Sequence, residues 1–135
     1  GEAEVGIHVC GRIHKRLLEL LAGVGRVRYL SFEFHDNPMN IGVLDKQVLE
    51  ENDKFISPGV VSSRIPKVED YDEVLELLKK VYEKSGGRID LVSADCGFAG
   101  LKGSLGDQER EYRLSLSKIE KIVEVVRYFG GTRKT

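Results

Sequence analysis

The feature that most constrains this chain's fold is a repeated alternation. A short apolar run is followed by a helical pattern of apolar residues, four times within 135 residues. Consecutive strand-then-helix units imply parallel strands joined by right-handed crossovers. The first unit is Val5 to Cys10, then a helix from about Arg12 to Ala22. That helix carries Ile13, Leu17, Leu18, Leu20 and Leu21 on a broad apolar face, and Gly23 and Gly25 end it. The second runs from Val27 through Phe34, turns through His35-Asp36-Asn37-Pro38, and continues as a helix from about Ile41 to Glu51. The third strand is Phe55 to Val61. Pro58 is awkward inside a central strand, so regular pairing is expected from Gly59 to Ser62, or a bulge at Pro58. The helix after it, about Asp70 to Lys84, has Val74, Leu77, Leu78, Val81 and Tyr82 at helical spacing. The fourth strand, Arg88 to Ala94, leads through a Gly-rich loop, Gly97 to Gly106, to a last helix from about Ser115 to Phe129. The tail from Gly130 to Thr135 is expected to fray.

Each unit takes about 30 residues, and eight such units close a (β/α)8 barrel of about 250 residues. Four units predict an α/β chain that is half of a (β/α)8 TIM barrel, occupying 1–135 as one domain. The chain begins with Gly rather than Met, as expected of a trimmed chain or a fragment.

Charge and composition exclude some functions. The formal net charge is -1, with no long basic run, which argues against binding nucleic acid through its phosphates. No apolar run is long enough to span a bilayer and no signal peptide is visible, so a cytoplasmic protein without a membrane partner is expected. The two cysteines could form one disulfide, but nothing suggests secretion, and reduced thiols or metal ligation fit better.

In such folds functional residues gather at the carboxyl ends of the strands. His8, Cys10, Glu33 and Cys96 all fall at such ends. In Ile7-His8-Val9-Cys10, alternation puts the imidazole and the thiol on one side of the strand. Zinc favours nitrogen and sulfur ligands in tetrahedral geometry. Taken singly, His8 and Cys10 read as chance residues of a half-buried strand, and Glu33 as a carboxylate meeting solvent at the rim. Together with Cys96 they make a complete zinc shell of two thiolates, one imidazole and one carboxylate. The carboxylate is the ligand most easily displaced by an incoming thiolate, because sulfur is the softer donor. His35 and Asp36 lie beside this loop, either supporting the ligands or exposed. His14 is expected on the surface. Asp95 points to the opposite face from Cys96 and holds the turn. The glycines from Gly97 to Gly106 lack a phosphate-loop pattern and read as a flexible connection rather than an anion cradle.

His8-Val9-Cys10-Gly11, Ser31-Phe32-Glu33-Phe34 with Asn37-Pro38 after it, and Asp95-Cys96-Gly97 resemble, in order and spacing, the C-terminal part of cobalamin-independent methionine synthase. The short, single-barrel archaeal-type members are the most similar. The resemblance covers nearly the whole chain. It implies the C-terminal half of a zinc methyltransferase barrel in which zinc binds the thiol of homocysteine for methyl transfer to give methionine. It places the four zinc ligands at His8, Cys10, Glu33 and Cys96, with Glu33 also at the substrate. The implied methyl donor is a methylcorrinoid or methyltetrahydrofolate. The remaining N-terminal half, or a homo-oligomer, completes the barrel, and the isolated chain is expected to be inactive.

Two departures limit what carries over. Long members place a histidine, assigned as proton donor, in the loop after the third strand, where this chain has Arg64. No catalytic proton donor is therefore carried over. The family's groups for the homocysteine amino and carboxylate ends lie mainly in the first half of the barrel, outside this chain. Three alternatives stand beside this reading. One is a methylcobamide:coenzyme M-type thiol methyltransferase of the uroporphyrinogen-decarboxylase-like class, which also uses His-x-Cys and a distant Cys. Another is a non-catalytic zinc-binding module. The third is a half-barrel related to sugar-phosphate enzymes, with the ligand pattern accidental.

Overall fold

The computed structural model describes residues 3–133. Strands β1 (Val5–Val9), β2 (Val27–Glu33) and β3 (Phe55–Gly59) form a parallel sheet in that order. The crossovers carry α1 (Lys15–Ala22) and α2 (Lys46–Glu51), and α3 (Tyr71–Lys84) follows β3. Alternation along β2 and β3 sends Leu30, Phe32 and Ile56 into a core with Ile13, Leu18, Leu49 and Val81 of the helical layer. The residues between them, such as Ser31, face the other side of the sheet, where His8 of β1 stands in register with Ser31.

Pro58 lies inside β3, so the expected start at Gly59 is corrected. Its missing N–H falls on the side that faces residues 88–95. There the backbone bulges at Leu91 (φ 57), and the Leu91 carbonyl accepts the Ser57 hydroxyl instead, at 2.6 Å. The same bulge accounts for the fourth strand. Residues 88–95 run parallel to β3 and donate Asp90 N–H to Ile56 O and Ser93 N–H to Pro58 O, both at 2.9 Å. They make only two isolated bridges, Ile56 with Ile89 and Gly59 with Ser93, rather than a regular strand.

The second expected helix is also divided. A 3-10 turn, Pro38–Val43, is followed by Leu44 in extended conformation. The Asp45 carboxylate then caps α2 by accepting from Gln47 N–H (3.0 Å) and Val48 N–H (3.4 Å). The last helix, α4 (Gln108–Arg133), is longer than expected and continues through the region expected to fray, while Lys134 and Thr135 lie outside the described residues. Ile122, Val125 and Phe129 of α4 pack with Val74, Leu75 and Leu78 of α3 around Val60 and Val61. Lys118, fully buried on α4, donates to both oxygens of Glu69 at 2.9 and 3.0 Å. Among the described residues, no helix is long and apolar enough to cross a membrane.

Candidate metal centre

At the carboxyl end of the sheet, one donor atom from each of His8, Cys10, Glu33 and Cys96 lies within 4.8 Å of the others. Cys10 Sγ is 3.3 Å from His8 Nε2 and 3.5 Å from Cys96 Sγ. A tetrahedron with metal–ligand bonds of about 2.0–2.3 Å has edges of roughly 3.3–3.8 Å. The two edges at Cys10 fit that spacing, and the nitrogen, two sulfurs and oxygen suit zinc in chemistry.

Each donor is held by its neighbours. His8 Nδ1 lies 2.9 Å from Ser31 Oγ; in the tautomer that donates this bond, Nε2 faces Cys10 with its lone pair free. Glu33 is buried, and its Oε2 accepts from Asn37 Nδ2 at 2.7 Å. The turn after Cys10 is tied to the end of β2 by Asn40. Its Nδ2 donates to Gly11 O (3.0 Å) and Glu33 O (2.7 Å), and its Oδ1 accepts from Ile13 N–H at 2.9 Å. Asn40 is fully buried, so these bonds form without competition from water. The hydrogen bond with Cys96 raises the Cys10 thiol above its ordinary pKa. Burial and the charges of Cys96 and Glu33 add to the rise, while Arg64 opposes it.

Cys96 is positioned through its neighbour. Asp95 is buried, and its carboxylate accepts from the backbone N–H groups of Phe34 (3.2 Å), His35 (3.1 Å) and Asp36 (2.8 Å). It thereby clamps the end of the fourth segment onto the loop that follows β2. Gly59 makes the close approach possible, since a Cβ there would lie 2.4 Å from Asp95 Cα. Burial raises the Asp95 pKa to about 6, against the backbone donors, which lower it.

His35, Asp36 and Asp95 form a second cluster of donors. Their hydrogen-bonding capacity is already engaged. The His35 ring meets Asp36 Oδ1 at 2.9 Å and Glu73 Oε1 at 2.8 Å, and Asp36 Oδ2 accepts from Ser62 Oγ at 2.7 Å. Burial lowers the His35 pKa, but the Asp36 and Glu73 hydrogen bonds and the Glu69 charge outweigh it and leave the pKa raised. His35 is therefore a bracing residue rather than an exposed loop histidine, and His14 is exposed as expected.

The Gly-rich loop is more ordered than a flexible connection. It contains a 3-10 turn, Phe98–Leu101, and donates Gly103 N–H (3.0 Å) and Leu105 N–H (2.9 Å) to the Glu111 carboxylate. Its anion is a side chain of the protein itself. Asn40, Asn37, Ser31 and Glu111 were not singled out as supports by the sequence. The Asn-Pro step before the 3-10 turn was the signal that the loop after β2 is built.

No protein-family model matches the chain. A methionine synthase from Methanothermobacter thermautotrophicus is 32% identical over 100 residues, which is 74% of this chain and 31% of that protein. Among solved structures, the fold is similar to a B12-independent methionine synthase from Shewanella sp. W3-18-1 in complex with selenomethionine. The TM-score is 0.65 at 16% identity, covering 94% of this chain and 39% of that one. The chain thus spans between about a third and two fifths of the proteins it matches.

Proposed function

The chain belongs to the methionine synthase family by sequence, and from that premise we propose that it is the thiol-activating half of a zinc-dependent methyltransferase that converts homocysteine to methionine. The observation that carries the reading is the convergence of His8, Cys10, Glu33 and Cys96 at the carboxyl end of one parallel sheet. Zinc, when bound, holds a coordinated thiol as its thiolate near neutral pH. The chain's own groups prepare for that exchange. Ser31 orients the imidazole, the two cysteines supply soft donors, and Asn37 steadies Glu33 by donating to its Oε2. Glu33 is then the donor that most readily gives way to sulfur. The substrate sulfur forms a bond to the methyl carbon as the bond to the donor, a methylcorrinoid or methyltetrahydrofolate, breaks.

In this reading residues 1–135 are the C-terminal half of a (β/α)8 barrel. Among the described residues, β1 pairs on one side only, with β2, and residues 88–95 pair on one side only, with β3. These open edges are to be covered by the other half of the barrel or by a second copy of the chain. A reducing cytoplasm suits the two free thiols.

Zinc titration followed by elemental analysis tests the site. One zinc per chain is expected at neutral pH, with affinity falling as pH drops and protons compete for the thiolates and imidazole. Cys10→Ala and Cys96→Ala should weaken binding more than Glu33→Ala. Absence of zinc uptake contradicts the reading. The zinc-loaded chain alone should not turn over homocysteine above a zinc-free control, because the methyl carbon must also be held in line with the sulfur. Turnover at an enzyme-like rate overturns the half-barrel assignment.

A further inference from the structure

We infer that Arg64 gives the centre a preference for thiols that carry a negative charge a few carbons from the sulfur, by pairing its guanidinium with that charge. The inference rests on the thiol-binding reading above and deepens it. Arg64 stands over the donor cluster, with Nη2 at 4.0 Å from Glu33 Oε2 and Nε at 4.0 Å from Asp36 Oδ2. Both distances are too long for hydrogen bonds. Among the described residues, the Arg64 side chain donates no hydrogen bond, and it is 63% exposed. A guanidinium has five N–H donors in a planar fork that fits a carboxylate or sulfonate. Here the fork faces solvent at the mouth of the site with its donors unspent.

The position is fixed by the fold. Arg64 N–H donates to Ser62 Oγ at 3.1 Å, and that hydroxyl donates to Asp36 at 2.7 Å. The loop is thereby anchored to Asp36, whose backbone N–H is held by Asp95 beside Cys96. The 3-10 turn Phe98–Leu101 closes on the side chain's stem. A Cβ at Gly100 would lie 2.7 Å from Arg64 Cγ and 3.1 Å from Ser63 O, so only glycine lets the two loops meet this closely. The stem therefore lies between the loop after β3 and the turn after Cys96. A thiol whose sulfur occupies the Glu33 corner of the cluster would bring a charge three or four bonds away into reach of this fork. Homocysteine offers a carboxylate there, and 2-mercaptoethanesulfonate a sulfonate.

Calorimetric titration of the zinc-loaded chain tests this with two matched pairs: homocysteine against 3-aminopropane-1-thiol, and 2-mercaptoethanesulfonate against 2-mercaptoethanol. The member that carries the acid group in at least one pair should bind about 10-fold tighter, and the difference should shrink with added salt. The pair with the larger ratio identifies carboxylate or sulfonate as the natural charge. Arg64→Gln should bring the ratio to within about 2-fold while zinc content and the affinity for 2-mercaptoethanol stay the same. Arg64→Lys should keep part of the preference, since it restores charge without the fork. A ratio that survives Arg64→Gln overturns the inference. So does an equal fall for thiols with and without the acid group, which would mean that Arg64 acts through Glu33. Thiol binding with no preference for the acid group in the unmodified chain removes the Arg64 role and leaves thiol activation standing. Zinc loading without binding of any thiol removes both.

Discussion

Cys10 and Cys96 are separated by 86 positions in sequence, yet their sulfurs meet at 3.5 Å. What brings them together is a small set of buried polar residues around them. Asn40 joins the turn after Cys10 to the end of β2, and Asp95 joins the residue before Cys96 to the loop after β2. Removing the Asn40 amide would leave the Ile13 N–H and the Glu33 carbonyl without partners in a buried setting. Asn40→Ala is expected to destabilise the fold by roughly 2–4 kcal/mol in chemical unfolding. It should also weaken zinc binding although no ligand is changed. An unchanged zinc affinity in a destabilised Asn40→Ala would mean that the cluster does not depend on this tie.

At the scale of elements, the start of α4 and the loop before it act as one unit through Glu111. Hydrogen bonds from the Gly103 and Leu105 backbones lower the Glu111 pKa below its ordinary value of 4.5, outweighing burial. A carboxylate whose folded pKa is depressed adds stability that is present above its unfolded pKa and is lost as pH falls through the folded value. Glu111→Gln should therefore be less stable than the unmodified chain above about pH 4.5, with the gap closing in more acid solution. Parallel unfolding curves at neutral and acid pH, with a constant gap, would contradict this. The alternation of strands and helices, the long α3 and the placing of His8, Cys10, Glu33 and Cys96 at the carboxyl ends of the parallel segments were legible in the sequence. They follow from periodicity, and the topology of parallel units fixes which strand ends meet. The break at Leu44, the bulge at Leu91 and the acceptance of Pro58 inside β3 were not. Each depends on a partner distant in sequence: Pro58 is tolerated because Leu91 bulges opposite it, and no local pattern reports that pairing. The burial of Lys118 was hidden for the same reason, since its counter-charge is Glu69, 49 positions away.

The whole molecule leaves apolar surface uncovered in a regular arrangement. Tyr112, Leu116, Ile119, Val123 and Val126 of α4 are exposed and recur at alternating spacings of four and three residues along one face. With the open edges of β1 and of residues 88–95, this face suits a chain that completes a barrel with another half. The isolated chain is expected to form a dimer or larger species in light scattering, and a clean monomer at high concentration would contradict that. The central claim concerns the metal centre, and X-ray absorption at the zinc edge tests it most directly. The loaded chain should show two sulfur and two nitrogen or oxygen neighbours. Adding homocysteine should give three sulfurs with the loss of one oxygen. A chain that takes up no zinc, or holds it with oxygen and nitrogen alone, would contradict the account.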